Sequence, residues 1–471
     1  MNRIFALLAV AALLAGCAVG PDYLRPDVPA PQGWRTPAAT ETSLGDLDWW
    51  RVFADETLQG LIRTALEENK DVRLAVARVL ESRAQLGVTR SSQFPQLDAN
   101  GSYNNQRTST VSAVPLPPTV NPEQEVFRST LDLSFEIDLW GRLRRATEAA
   151  RADLLASEEN RRSVVVTLVG DVAQAYFDLL ELDRELDIAR RTLESRRESL
   201  RIVRLRFDNG ITSELDLRRA EGEAASAAAQ IPDLERQIAQ TENRISILLG
   251  RNPAPIPRGG SLSEQPVLPE VPAGLPSALL ERRPDLRQAE QRLVAANARI
   301  GEAKAAYFPQ ITLTGAFGVE SIALSDLFTG PARVWQFGPR ITLPIFNAGR
   351  ITSQVRAAGA RQQQALVQYQ QAIQRAFTEV EDTLVSHRKS REIRPDREAL
   401  VAATRRSLEL ADLRYKDGLA SYLEVLDAQR QLFSAEIDLA RTNRDQLTSV
   451  VQLYKALGGG WASEASTAAA R

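Results

Sequence analysis

Chemistry needs nucleophiles, bases and ligands, and this 471-residue chain holds few of them. It has one histidine (His387), one cysteine (Cys17) and one methionine, the initiator. Zinc sites built from His and Cys, Cys–His nucleophiles, serine triads and disulfide frameworks all need residues that are missing here. His387 alone could serve a triad, and it stands in the charged run SHRKSRE, which reads as a solvated helix position. No GxxxxGK[ST] phosphate loop occurs, and LGGGW at 457–461 reads as a helix stop. Any catalysis would rest on carboxylates alone, so the sequence reads as no enzyme, with no catalytic residue, no metal site and no cofactor. With 58 basic against 60 acidic side chains, a net charge of −2 also argues against nucleic acid as a partner.

Cys17 is the one residue with a chemistry of its own. Arg3 precedes the apolar run Ile4 to Leu14, which is the size of a signal-peptide core and too short to cross a bilayer. It ends in Leu14-Ala15-Gly16-Cys17, small residues before a cysteine, which resembles the bacterial lipobox. That resemblance implies a removed signal peptide at 1–16 and a lipidated Cys17 as the mature N-terminus. Ala18 stands where an aspartate would resemble an inner-membrane retention signal, so the outer membrane is the expected address. The Pro-rich residues 17–55 read as a lipidated extended tether. Beyond Cys17 no apolar stretch approaches the roughly 20 residues of a membrane helix. Any spanning segment must then be β.

The elements that position these features are written twice. Residues 66–96 align without gaps to 280–310 with eleven identities, Asp71/Asp285, Gly87/Gly301 and both FPQ endings among them. LRFDNGITSELDLRRAE (205–221) matches LRYKDGLASYLEVLDAQ (413–429) at an offset of 208, and Gly141-Arg142 pairs with Gly349-Arg350 at that offset. This is an internal duplication, repeat 1 over 56–249 and repeat 2 over 277–461. A Pro/Gly-rich connector at 250–276 separates them, and the tail 462–471 reads as disordered.

Each repeat switches its hydrophobic period from helical to alternating and back. Strands are expected at about 96–106, 128–139, 310–320 and 334–346. Leu131, Leu133, Phe135, Ile137 and Leu139, for example, alternate with Asp132, Ser134, Glu136 and Asp138. Period two over about ten residues is the pattern of a transmembrane strand, apolar to lipid and polar to a lumen. Four strands cannot close a barrel and an open edge cannot stay in lipid, so the barrel must be shared between chains. Two chains give eight strands, whose interior side chains largely fill; three give twelve, wide enough for water.

The rest reads as helix. Arg142 to Phe207 contains no proline, and at 1.5 Å per residue it would form a rod of roughly 100 Å. Ala348 to Lys416 is the second rod, with a kink or break expected at Pro395. Each rod turns at a glycine (Gly210, Gly418) into a returning helix, 212–249 or 420–457, the first bent at Pro232. Helices at 70–92 and 284–306 could stack end to end on those returning helices.

CAVGPDY (17–23), DWWRVFADETLQGLIRTALEENKDVRLA (48–75), SFEIDLWGR (134–142), LLERRPDLRQAEQRLVAANARIG (279–301), ITLPIFNAGR (341–350) and YKALGGGW (454–461) together resemble one family. It is that of the bacterial outer-membrane efflux lipoproteins, the outer membrane factor of tripartite resistance-nodulation-division efflux pumps. The resemblance implies a membrane α+β fold: a trimeric 12-stranded β-barrel continuous with a 12-helix periplasmic α-barrel and an equatorial collar. It implies a passive, gated exit duct in the outer membrane whose partners are a periplasmic adaptor, an inner-membrane transporter and outer-membrane lipids. Leu423, Asp427 and Arg430 would form the periplasmic gate, with Arg414 and Tyr415 as its clasp and Gly210 and Gly418 turning the helices at the periplasmic tip. The spacing i, i+4, i+7 puts the three gate residues on one helix face. Repeat 1 has Leu215, Arg219 and Gly222 there, so the carboxylate is not doubled. The plainer reading makes Asp427 and Arg430 a surface i,i+3 ion pair. The duct of a type I protein-secretion system and a non-conducting structural lipoprotein are the rival functions.

Overall fold

The computed structural model describes residues 18–29, 31–36, 43–44, 52, 55–111, 117, 119–265, 273–274 and 276–459. The signal segment 1–16, Cys17, residues 266–272 of the connector and the tail 462–471 lie outside the described residues. Two compact units are present. Of the described residues, one gathers those within Met1–Asp27, Arg78–Ser157 and Gln288–Tyr369; the other gathers those within Val28–Ala77, Glu158–Arg287 and Gln370–Arg471. Each draws on both repeats, so a repeat is a unit of duplication and not a unit of packing.

In chain order the elements are α1 (Glu56–Glu68), α2 (Lys70–Ser91), β1 (Gln96–Arg107), β2 (Glu123–Ile137), α3 (Arg142–Asp208) and α4 (Glu214–Leu248). They continue with a short α5 (Leu279–Arg282), α6 (Pro284–Ala305), β3 (Gln310–Ser321), β4 (Arg333–Thr342), α7 (Arg350–Lys416) and α8 (Tyr422–Ala456). The duplication is visible in their lengths: α3 and α7 have 67 residues each, α4 and α8 have 35, and α2 and α6 have 22. Pro395 does not break α7, nor Pro232 α4. Proline removes one backbone donor, and Pro395 is exposed, so water is available to the carbonyl left over.

The first unit holds one antiparallel sheet in the order β1-β2-β3-β4. Two strands depart from their expected bounds. β2 begins at Glu123 because its ladder with β1 runs on to Arg107↔Glu123. β4 stops at Thr342, where the β3 ladder ends at Gln310, so Leu343 and Ile345 continue the alternation without a partner. Across the sheet, Ala99, Leu131, Phe317 and Trp335 form one row and Asp98, Asp132, Ala316 and Gln336 the next. Side chains alternate between faces along a strand, so one face is apolar and the other carries the acids, amides and hydroxyls. The apolar face is open: Trp335 is 78% exposed, and Phe317, Phe337 and Ile341 are exposed with it.

Where the sheet hands over to α3, Arg142 donates twice to Glu136 (2.9 and 2.6 Å) and Gln310 donates to the same carboxylate at 2.6 Å. Trp140 stacks on Phe308 at 4.7 Å and donates its indole N–H to the Pro309 carbonyl. The start of the tether is pinned here, not free. Val19 N–H bonds the Trp140 carbonyl at 3.0 Å, Asn297 bonds the Pro21 carbonyl at 3.0 Å, and Arg145 pairs with Asp22 at 2.7 Å. The crossing needs two glycines: a Cβ on Gly20 would come within 2.4 Å of the Gly301 backbone, and one on Gly301 within 2.6 Å of the Val19 carbonyl.

The second unit has its core around Leu58, Ile62, Tyr176, Leu179, Ile245 and Leu453, all fully buried. An 18-residue window of α3 there reaches a mean hydropathy of 1.4 with 61% of it buried, so the sequence does contain a near-membrane-length apolar stretch. Packing of this unit claims it. Asp55 caps α1 through the Thr57 and Leu58 amides and accepts the Tyr176 hydroxyl at 2.9 Å, while that oxygen accepts Gly259 N–H at 2.8 Å.

The expected end-to-end stacking is made by single residues. Asn69 accepts from the Asp71 and Val72 amides as the N-cap of α2 and donates to the Leu248 carbonyl at the end of α4, at 2.8 Å. Its counterpart Arg283 donates to the Ala456 carbonyl at the end of α8, at 2.9 Å, and ion-pairs with Asp285 at the start of α6, at 2.7 Å. His387 is not solvated. It is 6% exposed on α7 with Nδ1 3.0 Å from the Ser449 hydroxyl of α8, and burial pushes its pKa below the usual imidazole value.

An acidic stripe on α3, with Asp178 half-buried and Glu181 and Glu185 buried, meets Arg441 and Arg444 of α8; Glu181 is 3.0 Å from Arg444 and Glu185 3.1 Å from Arg441. Burial outweighs the pairing for Glu181 and, with Glu185 and Asp178 beside it, raises its pKa to about 7. A carboxyl raised in the folded state stabilises fully below the ordinary carboxylate range and loses that contribution as pH climbs through about 7. Thermal unfolding of the solubilised protein should therefore fall from pH 5 to pH 8 more steeply in the parent than in Glu181→Gln. Equal slopes would mean that Glu181 is ionised throughout.

Candidate functional site

The two long helices end alike. Gly210 (φ 72°) donates to the Phe207 carbonyl at 2.8 Å and Ile211 to Arg206 at 2.8 Å. Gly418 (φ 75°) donates to Tyr415 at 3.1 Å and Leu419 to Arg414 at 2.8 Å. These paired 5→2 and 6→1 bonds with a left-handed residue form the Schellman stop that glycine permits at low cost. Ser213 then opens α4, accepting from the Asp216 amide, and Ser421 holds the same position before α8.

Between the turns, Val203, Leu217, Ala220, Ala411, Tyr415, Tyr422, Val425 and Ala428 bury one another and so join α3, α4, α7 and α8. The Tyr415 and Tyr422 rings lie 5.7 Å apart. The Arg206 guanidinium covers the Tyr415 ring at 4.4 Å, a cation–π contact from the other repeat. Among the described residues neither hydroxyl has a well-aligned hydrogen-bond partner; the Arg206 guanidinium beside Tyr415 is the group that acts on its hydroxyl. Burial raises both phenols, Tyr422 to about 12, with Arg206 opposing the rise at Tyr415. Arg414 is exposed and turns back to the Leu419 carbonyl at 3.5 Å and to Glu424 at 3.8 Å.

Leu423 (51% exposed), Asp427 and Arg430 do share an open face of α8. Asp427 and Arg430 take their hydrogen bonds elsewhere, while the Asp427 charge still acts on Arg430. Asp427 accepts from Gln431 at 2.7 Å, whereas Arg430 donates through Nε (2.9 Å) and through a guanidinium NH2 to Glu223 of α4. Glu223 in turn binds Arg196 of α3 at 3.0 Å, and Arg196 also donates to the Glu223 carbonyl at 3.0 Å. Arg196 and Glu223 are both buried. Glu223, Arg196 and Arg206 are the residues that sequence reasoning missed. Helical periodicity finds neighbours within a helix, and these partners come from other helices.

A two-faced four-stranded sheet whose edges have no partner among the described residues, in one chain with long paired helices that end in tight glycine turns, defines an outer-membrane channel. The outer membrane efflux protein family model matches residues 61–251 and 275–459. The chain belongs to that family and is an efflux channel of the outer membrane. It is 38% identical over 478 residues to the toluene efflux pump outer membrane protein TtgF of Pseudomonas putida, covering 98% of each chain. It is 37% identical over 459 residues to the probable outer membrane lipoprotein SilC of Salmonella typhimurium, covering 95% of this chain and 97% of that one. Among solved structures, the open state of the Neisseria gonorrhoeae MtrE outer membrane channel matches with a TM-score of 0.84 at 34% identity, covering 94% of this chain and 99% of that one.

Since the Tyr415 hydroxyl has no well-aligned partner among the described residues, Tyr415→Phe should leave thermal stability within about 1 kcal/mol of the parent. Arg206→Ala should lower it by removing a guanidinium from a buried ring. A marked loss for Tyr415→Phe alone would mean that the hydroxyl bonds a neighbouring subunit.

Proposed function

We infer that three copies assemble into a passive exit duct that takes small molecules from an inner-membrane resistance-nodulation-division transporter through a periplasmic adaptor. The carrying observation is the sheet: its polar face suits a water-filled lumen and its apolar face suits lipid, and both edges need strands from other copies. No nucleotide-binding motif is present in the sequence, so transport energy comes from the inner-membrane partner. Cys17 is the lipidation site; the two residues that follow it, Ala18 and Val19, lie against Gly141 and Trp140 at the end of the sheet. The likeness to a relative named as a lipoprotein supports this.

The turns at Gly210 and Gly418 form the periplasmic tip, and Leu423, Asp427 and Arg430 line its constriction, with Arg414 and Tyr415 holding neighbouring helices. Three Asp427 carboxylates around an axis attract cations, as acidic rings do in other pores. The exposed carboxylate, bonded to the Gln431 amide while Arg430 bonds Glu223, favours this over a surface ion pair. In planar bilayers the parent should conduct and be blocked by millimolar Mg²⁺ from the tip side. Asp427→Ala should need at least about tenfold more Mg²⁺, the effect of losing a few kT of local potential. Unchanged block would remove Asp427 from the constriction, and no conductance at all would favour a structural lipoprotein.

A further inference from the structure

The two repeats carry opposite charges at the same place. Asp427, Arg430 and Gln431 of α8 correspond, at the offset of 208, to Arg219, Gly222 and Glu223 of α4. An i,i+3 acid and base on one helix ordinarily pair, and Asp427 with Arg430 would cancel the carboxylate that the gate needs. Here Arg430 is drawn off α8 to Glu223, and Gln431, the counterpart of Glu223, occupies Asp427 with a neutral amide. Glu223 is itself fixed from behind by the buried Arg196. Gly222, the counterpart of Arg430, leaves open space beside it, with nothing within 4 Å of where a Cβ would stand.

We propose that Glu223 is a positioning residue for the gate: by taking the hydrogen bonds of Arg430 onto α4 it keeps that guanidinium from bonding Asp427 directly, weakens its built-in counter-charge, and so sets the cation affinity of the constriction. Arg196 fixes the carboxylate so that it cannot follow Arg430 back to α8. The arrangement divides two roles between diverged copies. The second repeat supplies the charge that meets the solute, and the first supplies the acid that removes its competitor. This rests on the reading that Asp427 lines the constriction.

The test is Mg²⁺ block of the full-length channel in planar bilayers, for the parent, Asp427→Ala, Glu223→Gln, Arg430→Gln and the double variant Glu223→Gln/Arg430→Gln. Glutamine keeps an acceptor for Arg196 but releases the full charge of Arg430. Glu223→Gln should raise the half-blocking Mg²⁺ concentration at least about threefold, and the double variant should block like Arg430→Gln alone. A structural role for Glu223 would not depend on whether Arg430 is present. If Glu223→Gln shifts the block equally in both backgrounds, Glu223 acts on the ion directly and the proposal falls. If Asp427→Ala weakens block while Glu223→Gln does not, the gate reading stands and this proposal falls; if Asp427→Ala does nothing, both fall. Should Glu223→Gln fail to assemble, Glu223→Asp decides instead. It keeps the charge with a shorter reach to Arg430 and should raise the half-blocking concentration, and an unchanged value overturns the proposal.

Discussion

A strand edge cannot be left bare in hydrocarbon, because no water is there to take its N–H and C=O groups. Among the described residues this chain has four strands in a single open sheet, with β1 and β4 each bonded on one side only. Everything else about the protein is consistent with satisfying those edges by other copies of the same sheet. Closure also gives each face a fixed environment, which is why register matters so much. A slip of one residue would turn the row Ala99, Leu131, Phe317 and Trp335 inward and bring Asp98, Asp132 and Gln336 to the lipid.

Duplication explains how one chain builds paired helices so regularly, and the structure shows where the copies were free to drift. Positions tied to backbone geometry stayed alike: positive φ at Gly141 and Gly349, at Gly210 and Gly418, and at Gly250 and Gly458, each pair 208 apart. Positions that depend on side-chain chemistry diverged. Asn69 and Arg283 do the same job of joining two helix ends with different groups, an amide in one case and a guanidinium in the other. Arg219 and Asp427 are opposite in charge at equivalent places, and Glu223 and Gln431 differ by one ionisable group. The copies are alike where backbone geometry requires it and unlike where side chains make the contacts.

The sequence was legible where a rule acts over a few residues. Period two marked the strands, the absence of proline marked α3, and glycine at 210 and 418 marked the turns because few other residues tolerate positive φ. It was not legible where partners are distant. Leu343 and Ile345 keep the alternation but have no ladder, because pairing ends with β3 at Gln310. His387 sits in a charged run, yet its own face of α7 is turned to Ser449. Pro395 lies inside an unbroken helix because its side of α7 is exposed. Arg430 looked like the partner of Asp427 three residues away and instead binds an acid more than two hundred residues earlier.

The central claim is that the open sheet is completed by two further copies. Native mass spectrometry of the full-length protein released from detergent tests it most directly. The account predicts a single assembly of three chains that loses its β content only when it dissociates. A stable monomer that keeps its β content would contradict it, since a lone four-stranded sheet would then survive with both edges bare.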